Sequence, residues 1–367
     1  MITRDLRDAI GEALDAGHAG GTGNPVDPGL RPGGGPGQYS SSAAFTVAKQ
    51  AKRDGATAEA VARTLAASLR EQDWISQAEV TGPGYVTITV TPRALVDLPR
   101  RMAEAARTAG TAGAGPDAVA RSDALRNREF PVPETGAWEQ APTWELAWGR
   151  LRTELTGNLA AAAGGTVVRE AGKSSPAKTR SVTLETGTTG RSAHQACEGC
   201  ANEPAPLAAV AFAGTDAVKF ALARTAPGAS VRIDQRKIAR QHPGNPAYAV
   251  RYAHARAVSG LRWAVALGTP EAGPQWLPAN PVELTLLDAL SWLPERVAMA
   301  ARRGRPDEFA RYLERVADVT LATLTSPNPS PDAGRSPGSD TLALATAART
   351  GLAAGLALLG VDAPDRL

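Results

Sequence analysis

Cysteine is nearly absent, with two in 367 residues, so no disulfide framework can be built and a reducing compartment is expected. No uninterrupted run of about 18 apolar residues occurs, which predicts no transmembrane helix and no membrane partner. The opening Met-Ile-Thr-Arg-Asp-Leu-Arg-Asp lacks the apolar core of a signal peptide, so a cytoplasmic location is expected. Histidine is scarce too: His18, His194, His242 and His254 leave no His-x-x-His pair. His194-x-x-Cys197-x-x-Cys200 has metal-ligand spacing, but a structural zinc takes four protein ligands and no further cysteine exists. It is a weak candidate beside a loop with reduced thiols, and no metal is expected. Gly33-Gly34-Gly35 lacks the strand and helix context of a phosphate loop, so no cofactor is expected either.

What is there is unevenly placed. The overall charge is only +3, yet residues 219–262 are strongly basic. Lys219, Arg224, Arg232, Arg236, Lys237, Arg240, Arg251, Arg256 and Arg262 stand there against Asp234 alone, nine cations to one anion, or +8. Such clustering is the footprint of a polyanion binder, or else a solvated face.

The length suggests two or three domains, and the pattern reads as a multidomain α+β chain. Residues 1–97 read as a small α+β domain. Ile2, Leu6, Ala9, Ile10, Ala13 and Leu14 share one helical face, residues 40–53 read as a serine-capped helix, and Thr57 caps another. Two β-branched runs flank Gly82-Pro83-Gly84 and predict two strands or one bent strand. Residues 98–206 are dominated by Ala, Gly, Thr and Ser, and read as a reduced, low-complexity linker with one or two helices and a strand near Val182–Leu184. Residues 207–367 read as an all-α helical bundle, with helices at 207–213, 215–223, 246–266, 281–302, 306–324 and 340–359.

Residues 245–256 are the most informative stretch: Asn-Pro-Ala-Tyr-Ala-Val-Arg-Tyr-Ala-His-Ala-Arg. Asn245-Pro246 starts a helix, and Tyr248, Tyr252 and Arg256 then follow four residues apart along one ridge. Val250, His254, Ala257 and Leu261 form a second, apolar face, where His254 reads as a packed core histidine. A Tyr-Tyr-Arg ridge can stack unpaired bases and hold a phosphate, although both tyrosines could equally be bundle core.

This stretch resembles the helix that opens the anticodon-binding domain of arginyl-tRNA synthetases, whose motif is of the Asn-Pro-Val-Tyr-Tyr-Val-Gln-Tyr-Ala-His-Ala-Arg type. Gly214 to Arg224 is similar to the family's Gly-Ala-Asp-Ala-Leu-Arg-Phe helix, and Leu356 to Leu367 to its closing Leu-Leu-Gly-Ile segment. Pro36-Gly37-Gln38-Tyr39, the helix through Ala48-Lys49-Gln50, and Val80 to Val86 resemble the family's N-terminal additional domain, with Gln38 in place of the usual aspartate. The resemblance extends to actinobacterial synthetase-related proteins. It implies tRNA as partner, with an arginine tRNA as the narrower expectation. In the C-terminal domain it implies contacts from Asn245, Tyr248, Arg251, Tyr252, Arg256 and Arg262, and in the N-terminal domain from Gln38 and Tyr39, although Tyr39 could equally be a core aromatic of a small domain.

The family's catalytic motifs are not visible. No His-Ile-Gly-His turn exists, and the nearest relic of the Lys-Met-Ser-Lys-Ser loop is Gly172-Lys173-Ser174-Ser175-Pro176-Ala177-Lys178. A two-half Rossmann core needs more chain than the middle provides, since each βαβ unit takes 30 residues or more. The resemblance therefore implies a noncatalytic tRNA-binding protein, a carrier, sensor or regulator. The alternatives are residual arginine-tRNA ligase or aminoacyl-transfer activity, and a protein-interaction module that reuses the old RNA surface.

Overall fold

The structure is a computed structural model that describes residues 2–17, 26–50, 57–111, 116–170, 205–268, 281–325 and 339–367. The stretch at 182–184, the lysine-loop relic at 172–178 and the His194, Cys197, Cys200 trio lie outside these residues.

The chain begins with α1 (Ile2–Gly17), whose Ile2, Leu6 and Ile10 are fully buried, as their spacing predicts. Four short strands follow: β1 (Arg31–Pro32), β2 (Gln38–Ser41), β3 (Ile75–Thr81) and β4 (Tyr85–Val90). They form an antiparallel sheet in the order β1-β2-β4-β3, and β3 and β4 are the hairpin expected around Gly82-Pro83-Gly84. The alternation of β4 puts Val86, Ile88 and Val90 into the core, with Tyr39 opposite Ile88. Two helices, α2 (Ala43–Gln50) and α3 (Ala58–Leu69), pack on this sheet. Thr57 caps α3, its hydroxyl accepting from the Ala60 amide at 3.2 Å. The helix anticipated at 40–53 is shorter, because Ser40 and Ser41 extend β2 and the Ser41 hydroxyl caps Ala43.

The middle of the chain is more ordered than its letters suggest. After α4 (Pro92–Val96) come α5 (Leu98–Thr111), β5 (Glu129–Pro133), α6 (Trp144–Ala162) and β6 (Thr166–Glu170). β5 and β6 pair in parallel across α6, making a single βαβ unit. Leu151, Leu155 and Leu159 recur every fourth residue of α6 and are fully buried, and Leu98 and Met102 of α5 are buried as well. A linker was expected over 98–206; up to residue 170 the chain instead packs on the helical domain. Alanine-rich sequence is low in complexity but high in helix propensity, so it folds wherever a leucine stripe gives it something to bury.

The C-terminal bundle comprises α7 (Pro206–Ala213), α8 (Thr215–Ala223), a short α9 (Gln235–Ile238), α10 (Pro246–Ala266), α11 (Pro281–Ser291), α12 (Leu293–Arg303), α13 (Pro306–Thr325) and α14 (Ser339–Leu358). The single helix expected over 281–302 is two, broken at Trp292, because Pro294 has no N–H to continue the ladder. α14 sits at the centre, touching α5, α10, α11 and α13. Its Gly351 and Gly355 let Leu290 and Leu313 approach to where a β-carbon would stand. Thr341–Leu358 is apolar enough by length and composition to cross a membrane, but 61% of it is buried inside the bundle, as in a core helix.

The two ends of the chain lock together through polar groups. Thr3 donates to the Ser291 carbonyl at 2.7 Å, and Arg7 meets the buried Glu295 at 2.5 Å. Gly37, at φ 75°, aims its amide at Asp288 Oδ1, 2.9 Å away. The Ser291 hydroxyl donates to the Asp288 carbonyl at 2.7 Å, so the Tyr39 hydroxyl is the donor to Ser291 Oγ at 2.8 Å. The Tyr39 ring packs tilted at 34° against Trp292, with ring centres 5.2 Å apart, and Arg296 covers Trp292 from 5.4 Å.

Burial pushes the Asp288 carboxyl above its ordinary value, against the pull of the Gly37 amide. The native state therefore binds the Asp288 proton more tightly than the unfolded chain does. Its contribution to stability falls as pH rises from the ordinary carboxyl value to the raised one. Asp288→Asn keeps an oxygen for Gly37 and removes the charge. Denaturant titrations should show a flatter acid limb and no loss of stability at neutral pH; a loss at neutral pH would mean the ionised carboxylate is needed.

Candidate nucleic-acid interface

α10 owes its start to Asn245. The side chain accepts from the Ala247 amide at 3.2 Å and donates to the carbonyls of Ile238 at 2.6 Å and Arg240 at 2.9 Å. It thereby fixes the basic loop ahead of the helix. Asn245 is 6% exposed. The contact expected from it is corrected to a staple that holds others in place, because all its polar atoms are engaged.

Along the helix the tyrosine ridge is real. Tyr248 and Tyr252 are half-buried, and their rings lie 5.6 Å apart at 11°, one over the other. They are neither deep core nor free on the surface. Arg256, one turn on, is exposed and has no ion pair among the described residues. On the opposite face Val250, His254 and Ala257 are buried against α13 and α14, and Leu261 packs at the edge. His254 Nδ1 lies 3.0 Å from the Pro364 carbonyl, which can only accept, so this nitrogen carries the proton. Burial holds His254 below its usual value, so it packs as a neutral core group.

Two of the other expected contacts have structural duties. Arg251 pairs with Asp216 at 3.2 Å, and the same carboxylate accepts from the Asp362 amide at 3.3 Å, so α8, α10 and the tail are tied together. The expectation for Arg251 is corrected accordingly, since its charge is already balanced inside the protein. Arg262 is exposed and donates to the Asp365 carbonyl at 3.1 Å, a neutral partner that leaves its charge outward.

Beside the start of α10 lies a cleft of about 520 Å³, lined among others by Phe220, Arg224, Arg232, Lys237, Pro246 and Arg311. Arg232 and Lys237 are exposed there with no ion pair among the described residues, whereas Arg224 meets Glu314 at 2.6 Å. Asp234 spends its side chain on the Lys237 amide, capping α9. The four cations around this cleft, Arg224, Arg232, Lys237 and Arg311, suit an anionic ligand, such as an unpaired nucleotide. Arg311 was not legible as part of this site, because it arrives from α13, far along the chain.

The N-terminal candidates fare differently. Tyr39 has 0% exposure, sealed between the sheet and Trp292, and so cannot meet RNA in this state. That expectation is corrected: its hydroxyl and its ring are both used to dock α11 and α12. Gln38 is half-buried in β2, opposite Thr89. Among the described residues no group of three His, Cys, Asp or Glu could hold a metal ion.

Comparison with known proteins matches residues 2–90 to the family described as arginyl tRNA synthetase N terminal domain, and residues 250–367 to the DALR anticodon binding domain. The fold and these two matches define a helical anticodon-binding-type domain with an N-terminal α+β companion. Over these two regions the chain is similar to arginyl-tRNA synthetases. The arginine–tRNA ligase of Frankia alni is 39% identical over 161 residues, covering 42% of this chain and 29% of the ligase. That of Kineococcus radiotolerans is 35% identical over 163 residues, with the same two coverages. The chain thus spans 29% of the length of these curated relatives. The Thermus thermophilus arginyl-tRNA synthetase structure superposes with a TM-score of 0.62 at 15% identity, covering 100% of both chains, which shows a shared fold.

Proposed function

We propose that this chain binds tRNA without catalysing aminoacylation, as a carrier, sensor or regulator. The observation that carries the reading is the stacked Tyr248–Tyr252 pair running into exposed Arg256. Next to it lies the cationic cleft, the second support. Stacked aromatics accept any base on their faces, and the neighbouring cations hold the backbone. The noncatalytic half of the proposal rests on the sequence, which has no His-x-x-His pair, and on the single βαβ unit among the described residues.

Gel-shift titration of the full chain with total tRNA tests the binding. The Tyr248→Ala/Tyr252→Ala variant should bind more weakly by about 1–3 kcal/mol per base stack lost. Its dependence on salt should stay that of the parent, because no cation is removed. Unfolding of this variant on a thermal melt would instead assign the pair to the bundle. Arginine-dependent ATP–pyrophosphate exchange, with and without tRNA, should stay at background. Exchange abolished by Lys173→Ala or Lys178→Ala would establish residual ligase activity and end the noncatalytic reading.

A further inference from the structure

The exposed side of α10 does not stop at Arg256. Trp263 is 64% exposed, although an indole is among the side chains most favoured to be covered. Single exposed apolar residues are ordinary, so exposure alone decides nothing. Position does. At about 100° per residue, Tyr248, Tyr252, Arg256 and Trp263 fall at roughly 0°, 40°, 80° and 60° around the helix axis. Trp263 therefore stands on the same ridge, about 10 Å beyond Arg256 at the rise of an α-helix.

Two further features favour a polyanion on this face. α10 contains no carboxylate at any position, while Arg256 and Arg262 point outward from it. The tail that crosses its end carries Asp365, whose backbone carbonyl accepts from Arg262. Between Arg256 and Trp263 lies Gly260, a residue that weakens a helix interior. A β-carbon added there meets nothing within 4 Å, so no neighbour inside the protein requires the glycine. Bare backbone between a cation and an indole leaves room for a chain to lie close to the helix.

We propose that Trp263 is a further base-stacking residue, so that α10 from Tyr248 to Trp263 is one track for unpaired RNA. Tyr248 and Tyr252 hold one end of the unpaired segment, Arg256 and Arg262 its phosphates, and Trp263 a base at the far end. This rests on the tRNA-binding reading and extends it by one helix end, with a single-stranded loop as the ligand class.

The test uses the full chain and a fluorescein-labelled stem-loop RNA with an anticodon-sized loop, beside the same stem closed as a blunt duplex. Trp263→Ala should weaken loop binding about 5- to 150-fold, the range for one lost base stack. Trp263→Phe should recover most of that, the salt slope should stay put, and duplex binding should be unchanged. Loop binding at parental strength in Trp263→Ala, with loss in Tyr248→Ala, would overturn the proposal and leave the tRNA reading standing. A parent that binds neither RNA would overturn both. A parent that sediments as a dimer, and a Trp263→Ala variant that is monomeric with loop binding intact, would show a self-association face and overturn the proposal alone.

Discussion

An Arg232→Glu/Lys237→Glu/Arg256→Glu protein should bind tRNA about 10²–10³-fold more weakly than the parent at about 0.1 M salt. The size follows from counterion release. Each phosphate contact contributes about 0.7–0.9 to the slope of log affinity against log salt, so at a tenth molar each lost contact forgoes nearly a decade. The slope itself should fall by about two to three. These three residues suit the experiment because each is exposed and without an ion pair among the described residues. Arg251→Glu does not suit it: the new carboxylate would face Asp216, from which Arg251 now stands 3.2 Å, and unfolding would masquerade as lost binding. Fluorescence anisotropy across a salt series, with a thermal melt of each protein, gives the answer. Parental affinity at every salt would mean that the basic segment is not the RNA surface.

The second large effect concerns stability. Tyr39→Ala should lower the unfolding free energy by about 3–5 kcal/mol, the range for deleting a buried aromatic ring. Tyr39→Phe should lose about 1 kcal/mol, because Ser291 Oγ keeps its own bond to Asp288 while giving up only the tyrosine donor. Neither variant should change RNA affinity at temperatures where it stays folded. Urea denaturation followed by tryptophan fluorescence suits the measurement, since Trp292 reports on this junction directly. A Tyr39→Phe protein of full stability that binds tRNA poorly would restore Tyr39 as an RNA contact, and would require the junction to open.

How much of this was legible from sequence depends on where each partner lies. α10 was readable because its signals are local: Asn-Pro to begin, a four-residue tyrosine spacing, and an apolar face ending at Leu261. His254 was readable for the same reason. Tyr39 could not be assigned from sequence because its hydroxyl partner is 252 residues away, and no local pattern separates a tyrosine that binds RNA from one that docks a helix. Arg251 and Asn245 sit within the right motif, yet their bonds run to Asp216 and to the carbonyls of the preceding loop, which a motif does not display. In the middle region composition pointed the wrong way. Alanine and glycine looked like a tether, while the leucines of α6 were building a face against α12. The cleft was half legible: Arg232 and Lys237 lie in the basic run, but Phe220 and Arg311 come from separate helices.

The clasp between the first helix and α12 has a consequence for how the protein is made. Thr3 and Arg7 bond to residues 288 positions further on. A ribosome adding about 5–20 residues per second needs about 15–60 s to reach them. Once residue 90 has been added the N-terminal sheet is complete, but for the rest of that interval the wall that Trp292 supplies for Tyr39 does not yet exist. The newborn domain must spend that time with a tyrosine and a glutamate-seeking arginine open to water, which makes the pace of translation and the reach of chaperones part of its folding problem.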